Sequence, residues 1–116
     1  MAIPSKKAIE ELGLLPYDVI DYLQTPEDRA GYLDVWLEES PEDIRGLSRV
    51  IGDIARAKGM TEVAAAAGLN RESLYRALSE KGNPSLATVM KVLIALGIRL
   101  RAEVVSPESP DPPTVK

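Results

Sequence analysis

A chain of 116 residues with net charge −4 has room for one domain with a modest core and not for two. It contains neither cysteine nor histidine, which excludes a disulfide framework and thiolate metal sites and removes the commonest general base and metal ligand. Its start lacks a basic region followed by an apolar run, and no apolar stretch approaches ~18 residues, so a cytoplasmic protein without a membrane span is expected.

Taken in chain order, the sequence reads as a succession of short helices with start and stop signals. Ser5 is placed to cap a turn of helix through Leu12, stopped by Gly13, and Tyr17 to Leu23 sets Val19, Ile20 and Leu23 on one face. Thr25-Pro26-Glu27-Asp28 combines an N-cap, a proline at the first helical position and acids in the first turn. The helix it opens is expected to turn Ala30, Leu33 and Leu37 to the core, with Tyr32 and Trp36 flanking. Ser40-Pro41-Glu42-Asp43 repeats the start signal before Ile44, Leu47, Ile51, Ile54 and Ala55, and Gly59 ends that helix. Thr61 starts an alanine-rich helix that Gly68 ends. Asn70 caps the next, from Arg71 to about Glu80.

Gly82-Asn83-Pro84-Ser85 is a turn whose last residue caps Leu86 to Leu96, a helix apolar nearly all round. Such a helix is expected at the centre of the fold or in a dimer interface. Gly97 closes it. Ile98 to Val104 then alternates apolar and charged residues, the period of a half-buried strand, which needs a partner strand from this chain, a second subunit or another protein. Pro107 to Lys116 has four prolines in ten residues and is expected to be a disordered tail.

Charge is segregated along the chain. Met1 to Ser48 carries net −7, Arg49 to Glu103 net +4, and the remainder −1. This divides the chain into an acidic helical region (1–48) packed on the core, a basic unit (49–105) ending in the strand, and the tail (106–116). The acidic part would attract a basic partner and the basic part a polyanion.

The stretch from Met60 to Ser85 has the spacing of a helix-turn-helix. Ala64 lies four residues before Gly68 and Leu74 six after it. Close helix crossing requires a small residue at Ala64, Gly68 supplies the turn, and Leu74 and Leu78 pin the second helix inward. Arg71, Glu72, Ser73, Tyr75 and Arg76 then face outward, with Asn70 as cap. Arginine pairs bidentately with guanine, glutamate accepts from cytosine, and tyrosine reaches a phosphate or a thymine methyl. Lys81, Asn83 and Ser85 in the following turn offer an ammonium, an amide and a helix N-terminus to phosphate oxygens. No metal site or cofactor is expected. Paired acids such as Glu38-Glu39 and Glu42-Asp43 suit solvated helix ends better than catalysis.

Arg49 to Arg99 resembles the five-helix Xre/Cro-type DNA-binding domain. The longer pattern "YDVIDYLQTPEDRAGYLD" and "IGDIARAKGMTEVAAAAGLNRESLYRALSEKGNPSLATVMKVLIALGIRLR" resembles addiction-module antidote proteins of the HigA-like class over about residues 17 to 101. Its most telling pieces are Thr25-Pro26-Glu27-Asp28, Gly52-Asp53-Ile54-Ala55-Arg56, Leu69 to Ser79 and Gly82-Asn83-Pro84-Ser85. The resemblance implies an all-α, lambda-repressor-like helix-turn-helix domain, here with acidic N-terminal helices and a short C-terminal β-strand. It implies a homodimer that represses its own operon by binding operator DNA and neutralises a small toxin encoded beside it, usually a RelE/HigB-type ribosome-dependent ribonuclease. The first fifteen residues and the proline-rich tail depart from the family pattern and receive no role.

A toxin that handles RNA is itself basic, so an acidic helical surface suits it. Candidate contacts are Asp18, Asp21, Glu27, Asp28, Asp34, Glu38, Glu39, Glu42 and Asp43. Trp36 is either an aromatic anchor there or a core residue beneath its helix. The competing reading is a plain Xre-family transcriptional regulator without a toxin, whose N-terminal helices serve packing alone.

Overall fold

The computed structural model describes residues 19–79 and 82–105. Among them lie five helices: α1 (Pro26–Glu39), α2 (Ile44–Lys58), α3 (Met60–Ala67), α4 (Arg71–Ala77) and α5 (Leu86–Ala95). A turn at Val19–Leu23 precedes them and sends both of those side chains into the core. The helix expected over Ser5–Leu12 and the tail from Pro107 fall outside the described residues.

Side-chain caps set most of the helix starts. Thr25 Oγ1 accepts the Asp28 N–H at 3.0 Å, Asn70 Oδ1 the Ser73 N–H at 2.7 Å, and Ser85 Oγ the Thr88 N–H at 3.1 Å. Each satisfies one of the N–H groups that a first turn leaves without a helical partner. The start of α2 differs from the expectation. Ser40 closes α1, donating its N–H to the Trp36 carbonyl at 2.8 Å, and Asp43 caps α2 by accepting the Gly46 N–H at 2.9 Å. A turn bonded from Asp43 N–H to Ser40 carbonyl separates them, so the Ser-Pro-Glu-Asp signal marks the turn rather than the first helical residues.

One hydrophobic cluster joins all five helices. It runs from Val19 and Leu23 through Tyr32, Leu33 and Trp36 of α1 to Val50, Ile51, Ile54 and Ala55 of α2. Met60, Val63 and Ala64 of α3, Leu74 and Leu78, and Val92, Leu93 and Leu96 complete it. The inward face of α1 is rotated from the expected stripe. Tyr32 and Trp36 are among the most buried side chains, whereas Ala30 is exposed and Leu37 only half-buried. The change of charge sign between residues 48 and 49 falls inside α2, so one continuous helix belongs to both the acidic and the basic parts.

The β-strand expected over Ile98–Val104 is absent. The described residues form an all-α five-helix bundle with no strand at all. The reason lies at the end of α5. Gly97 takes the left-handed conformation (φ 74°) and the Ile98 N–H closes the helix on the Leu93 carbonyl at 2.9 Å. Among the described residues no strand is available to share a ladder with the segment that follows. The alternating residues run on without regular secondary structure and largely exposed, with Ile98 packed against the core. A period of two is necessary for a strand but does not supply the neighbour that makes one.

Candidate nucleic-acid interface

The α3–α4 pair is built around a backbone turn and small side chains. Gly68 adopts φ 75°, where a side chain would strain the backbone, and the Leu69 N–H reaches back to the Ala64 carbonyl at 2.8 Å. Ala64 and Val63 are buried at the crossing, while Ala65 and Ala66 face solvent as ordinary helix formers. Leu74 and Leu78 are fully buried, which fixes the rotation of α4 about its axis. Gly52 of α2 meets the far end of α4. A Cβ there would stand 3.2 Å from the Leu78 carbonyl oxygen, so a larger residue would push the two helices apart.

That rotation leaves Arg71, Glu72, Tyr75 and Arg76 exposed on the outer face, with Ser73 half-buried behind the cap. Arg71 donates to the Tyr75 hydroxyl at 3.4 Å and its guanidinium lies 5.4 Å from the ring centroid. That hydrogen bond is the main reason the Tyr75 phenol is held below its ordinary pKa. A second guanidinium, that of Arg56 on α2, stands 5.6 Å from the same ring. Tyr75 is therefore flanked by two cations, a pattern that orders long side chains at a surface. Arg76 and Glu72 approach only to 3.8 Å with both side chains largely exposed, a weak pair that leaves both groups available. Asn83 and Ser85, in the turn that leads into α5, are exposed, and Lys81 lies outside the described residues.

Arg56 is the residue that reading the sequence missed. It is held by Asp53, one turn before it, whose Oδ1 lies 3.4 Å from the guanidinium. Asp53 is 1 % exposed, and its Oδ2 accepts the Tyr32 hydroxyl of α1 at 3.0 Å. Burial pushes the Asp53 carboxyl up to about 6, against the opposing pull of Tyr32 and Arg56, and burial likewise raises the Tyr32 phenol. The available signal was an aspartate on the apolar stripe of α2 followed three residues later by arginine. A buried acid at that position needs a donor, and an i,i+3 arginine is the local one.

The acidic candidates lie elsewhere. Asp21, Glu27, Asp34, Glu38 and Glu39 are exposed, as is Glu42; Asp28 and Asp43 are half-buried at helix starts; Asp18 is outside the described residues. Trp36 sits in the core at 2 % exposure, with the Arg49 guanidinium 5.1 Å from its ring. Asp34 and Glu38 line a groove of about 900 Å³ between α1 and the segment Ile98–Glu103, with Leu33 and Leu37 in its wall. Among the described residues no group of three or more acids is placed to hold a metal ion, and no helix is long and apolar enough to cross a membrane.

Residues 13–104 match the family model described as "Probable addiction module antidote protein". The chain belongs to that family. A relative from Haemophilus influenzae, described only as an uncharacterized protein, is 42 % identical over 90 residues, covering 78 % of this chain and 91 % of its own length. No solved structure matches the chain. Membership gives this antidote a regulatory, non-catalytic role in an addiction module, with a toxin as its counterpart. The matched region spans α1 to α5 and the segment that follows, so the acidic helix and the exposed face of α4 both belong to the antidote unit.

Proposed function

We propose that this antidote is a type II antitoxin that binds the operator of its own operon as a dimer, through an Xre-type helix-turn-helix formed by α3 and α4. The observation that carries the reading is the outer face of α4, where Arg71, Tyr75 and Arg76 stand exposed on a helix locked by Leu74 and Leu78. Arg71 and Arg76 supply donor forks for base edges, and Arg56 supplies a guanidinium for a phosphate next to the recognition helix. Asn83 and Ser85 add polar groups on the following turn. The partner is a small basic RelE/HigB-like ribonuclease, drawn to the acids of α1. Asp34 and Glu38, exposed on α1, are the acids it would meet, on a groove whose other wall carries Arg99 and Arg101.

The test uses the full chain and the DNA upstream of its own reading frame. An Arg71→Ala/Arg76→Ala variant is expected to lose at least about 30-fold in affinity for that DNA, from ~1–3 kcal/mol per base-reading arginine, in a fluorescence-anisotropy titration at fixed salt. Unchanged binding removes α4 as the reader. Co-expression with the neighbouring reading frame tests the other half. A basic product that co-purifies with the wild type, and is lost with an Asp34→Lys/Glu38→Lys variant, is the expected result.

A further inference from the structure

Asp53 sits where an acid is not expected. Among the described residues it is the one buried acid, 1 % exposed, and a carboxylate taken out of water is unfavourable unless partners replace that water. A buried ion pair often stabilises a fold no more than apolar side chains of the same size. Stability alone therefore gives no reason for an acid at this place. Both of its oxygens are engaged: Oδ2 accepts the Tyr32 hydroxyl of α1, and Oδ1 accepts from Arg56 Nη1 one turn along α2. The seat of Arg56 is shaped as well. A Cβ on Gly52 would stand 3.3 Å from Arg56 Nη1, so the missing side chain leaves room for the guanidinium beside the end of α4. From there it stands 5.6 Å from the centroid of the Tyr75 ring. Its side chain remains 34 % exposed, with N–H groups to offer. One chain of contacts thus runs from Tyr32 on α1 through Asp53 and Arg56 to Tyr75 on the outer face of α4.

We propose that Asp53 is a positioning residue of the DNA-reading face: its carboxylate, oriented by Tyr32, holds Arg56 beside Tyr75, where the guanidinium meets a backbone phosphate. The inference rests on the DNA reading proposed above, and it adds two residues that never touch DNA. A free arginine samples many rotamers, and one already held in place loses less entropy on binding. Phosphate contacts fix the register in which base edges are read, so an aimed Arg56 favours the specific complex over shifted ones. The hold requires an ionised carboxylate, since a protonated one attracts the guanidinium far less. Burial brings that proton into reach, with the Asp53 carboxyl pushed up to about 6. The groups acting on its charge are Tyr32 from α1 and Arg56 and Arg49 of α2 itself. From α4, Tyr75 and Arg71 act on Arg56 and on each other, while the buried side chains of α3 and α5 are all apolar. The chain has no histidine, so no imidazole titrates in the same range.

The test compares the affinity of the full chain for the DNA upstream of its reading frame with that for a scrambled duplex of the same composition. A change in protein charge moves both affinities together, so their ratio reads the aim of Arg56 and not its charge. At about pH 7, Asp53→Asn is expected to lower the ratio about 5-fold or more. The wild type is expected to show most of that loss on going from about pH 7 to about pH 5, and Asp53→Asn none. Tyr32→Phe removes a hydrogen bond that favours the ionised carboxyl and is expected to move the midpoint of the profile to higher pH. With Arg56→Ala already in place, Asp53→Asn is expected to change the ratio no further. A folded Asp53→Asn chain with the wild-type ratio, or the same loss without Arg56, overturns the proposal. Should Asp53→Asn fail to fold, a wild-type ratio that ignores pH overturns it without any substitution. In the free chain, the Arg56 guanidinium NMR signals are expected to be those of an ordered side chain at about pH 7 and to average at about pH 5. Signals that do not change overturn the hold on Arg56. A wild type that does not prefer its upstream DNA overturns the DNA reading and the role given to Arg56 in it. The NMR result separates that failure from failure of the hold itself.

Discussion

The α1–α2 junction and the α3–α4 junction both bring consecutive helices into one core, but different chemistry closes them. Between α1 and α2 a buried hydrogen bond from Tyr32 to Asp53 sits among Leu33, Trp36, Val50 and Ile54. Between α3 and α4 only apolar side chains are buried, and the polar work falls to the backbone at Gly68 and the cap at Asn70. The first junction spends its polar groups inside the protein. The second leaves Arg71, Tyr75 and Arg76 exposed on the outside.

The largest effect expected from breaking this contrast is on the apolar side. Leu74→Ala leaves a cavity at a fully buried position and is expected to lower stability by about 2–5 kcal/mol, read by urea unfolding. A loss below about 1 kcal/mol would mean that α4 is not held by its leucines. The polar junction is expected to answer to pH instead. The Asp53 carboxyl titrates near 6 in the folded chain and near 3.8 when unfolded. The folded state therefore binds this proton more tightly. Its stabilising contribution is fully present below the unfolded value and is lost as pH rises through about 6. Between pH 7 and pH 5 the wild type should gain roughly 1–2 kcal/mol from this group, and Asp53→Asn should remove that gain. Identical pH slopes for the two proteins would show that Asp53 does not control the junction.

Smaller effects sharpen the comparison. Gly68→Ala places a Cβ at φ 75° and is expected to destabilise by about 1–2 kcal/mol, with no change in the pH slope. Should the slope change too, the two junctions would not be independent. Glu72→Ala removes an exposed partner of Arg76 and is expected to leave the thermal midpoint within error in a thermal melt.

Much of the α3–α4 unit was legible because its determinants are local. Ala64, Gly68, Asn70, Leu74 and Leu78 lie within fifteen residues, and each has a position-specific reason to be there. The Tyr32–Asp53 bond spans 21 residues, and nothing in the local pattern of either helix announces it. The rotation of α1 escaped for the same reason. Periodicity alone favoured Ala30, Leu33 and Leu37, but the bulk of Trp36 and the inward hydroxyl of Tyr32 decided which side faces α2. The strand failed because alternation in Ile98–Val104 has no neighbour to pair with among the described residues. Burial of α5 was half legible: the sequence suggested a helix for the centre of the fold or a dimer interface, and among the described residues Val92, Leu93 and Leu96 are buried while Leu86 and Ile94 are exposed.

The position of Trp36 also makes the protein its own optical sensor. It is the one tryptophan in the chain, shielded from water and lying between α1 and α2 beneath the Arg49 guanidinium. Its emission should be blue-shifted while α1 is docked and should move red when α1 lifts away. Any partner that seats on the α1 groove without disturbing the core would leave that colour unchanged, and one that peels the helix off would shift it. A cuvette without labels can thus tell whether an interaction opens the α1–α2 junction.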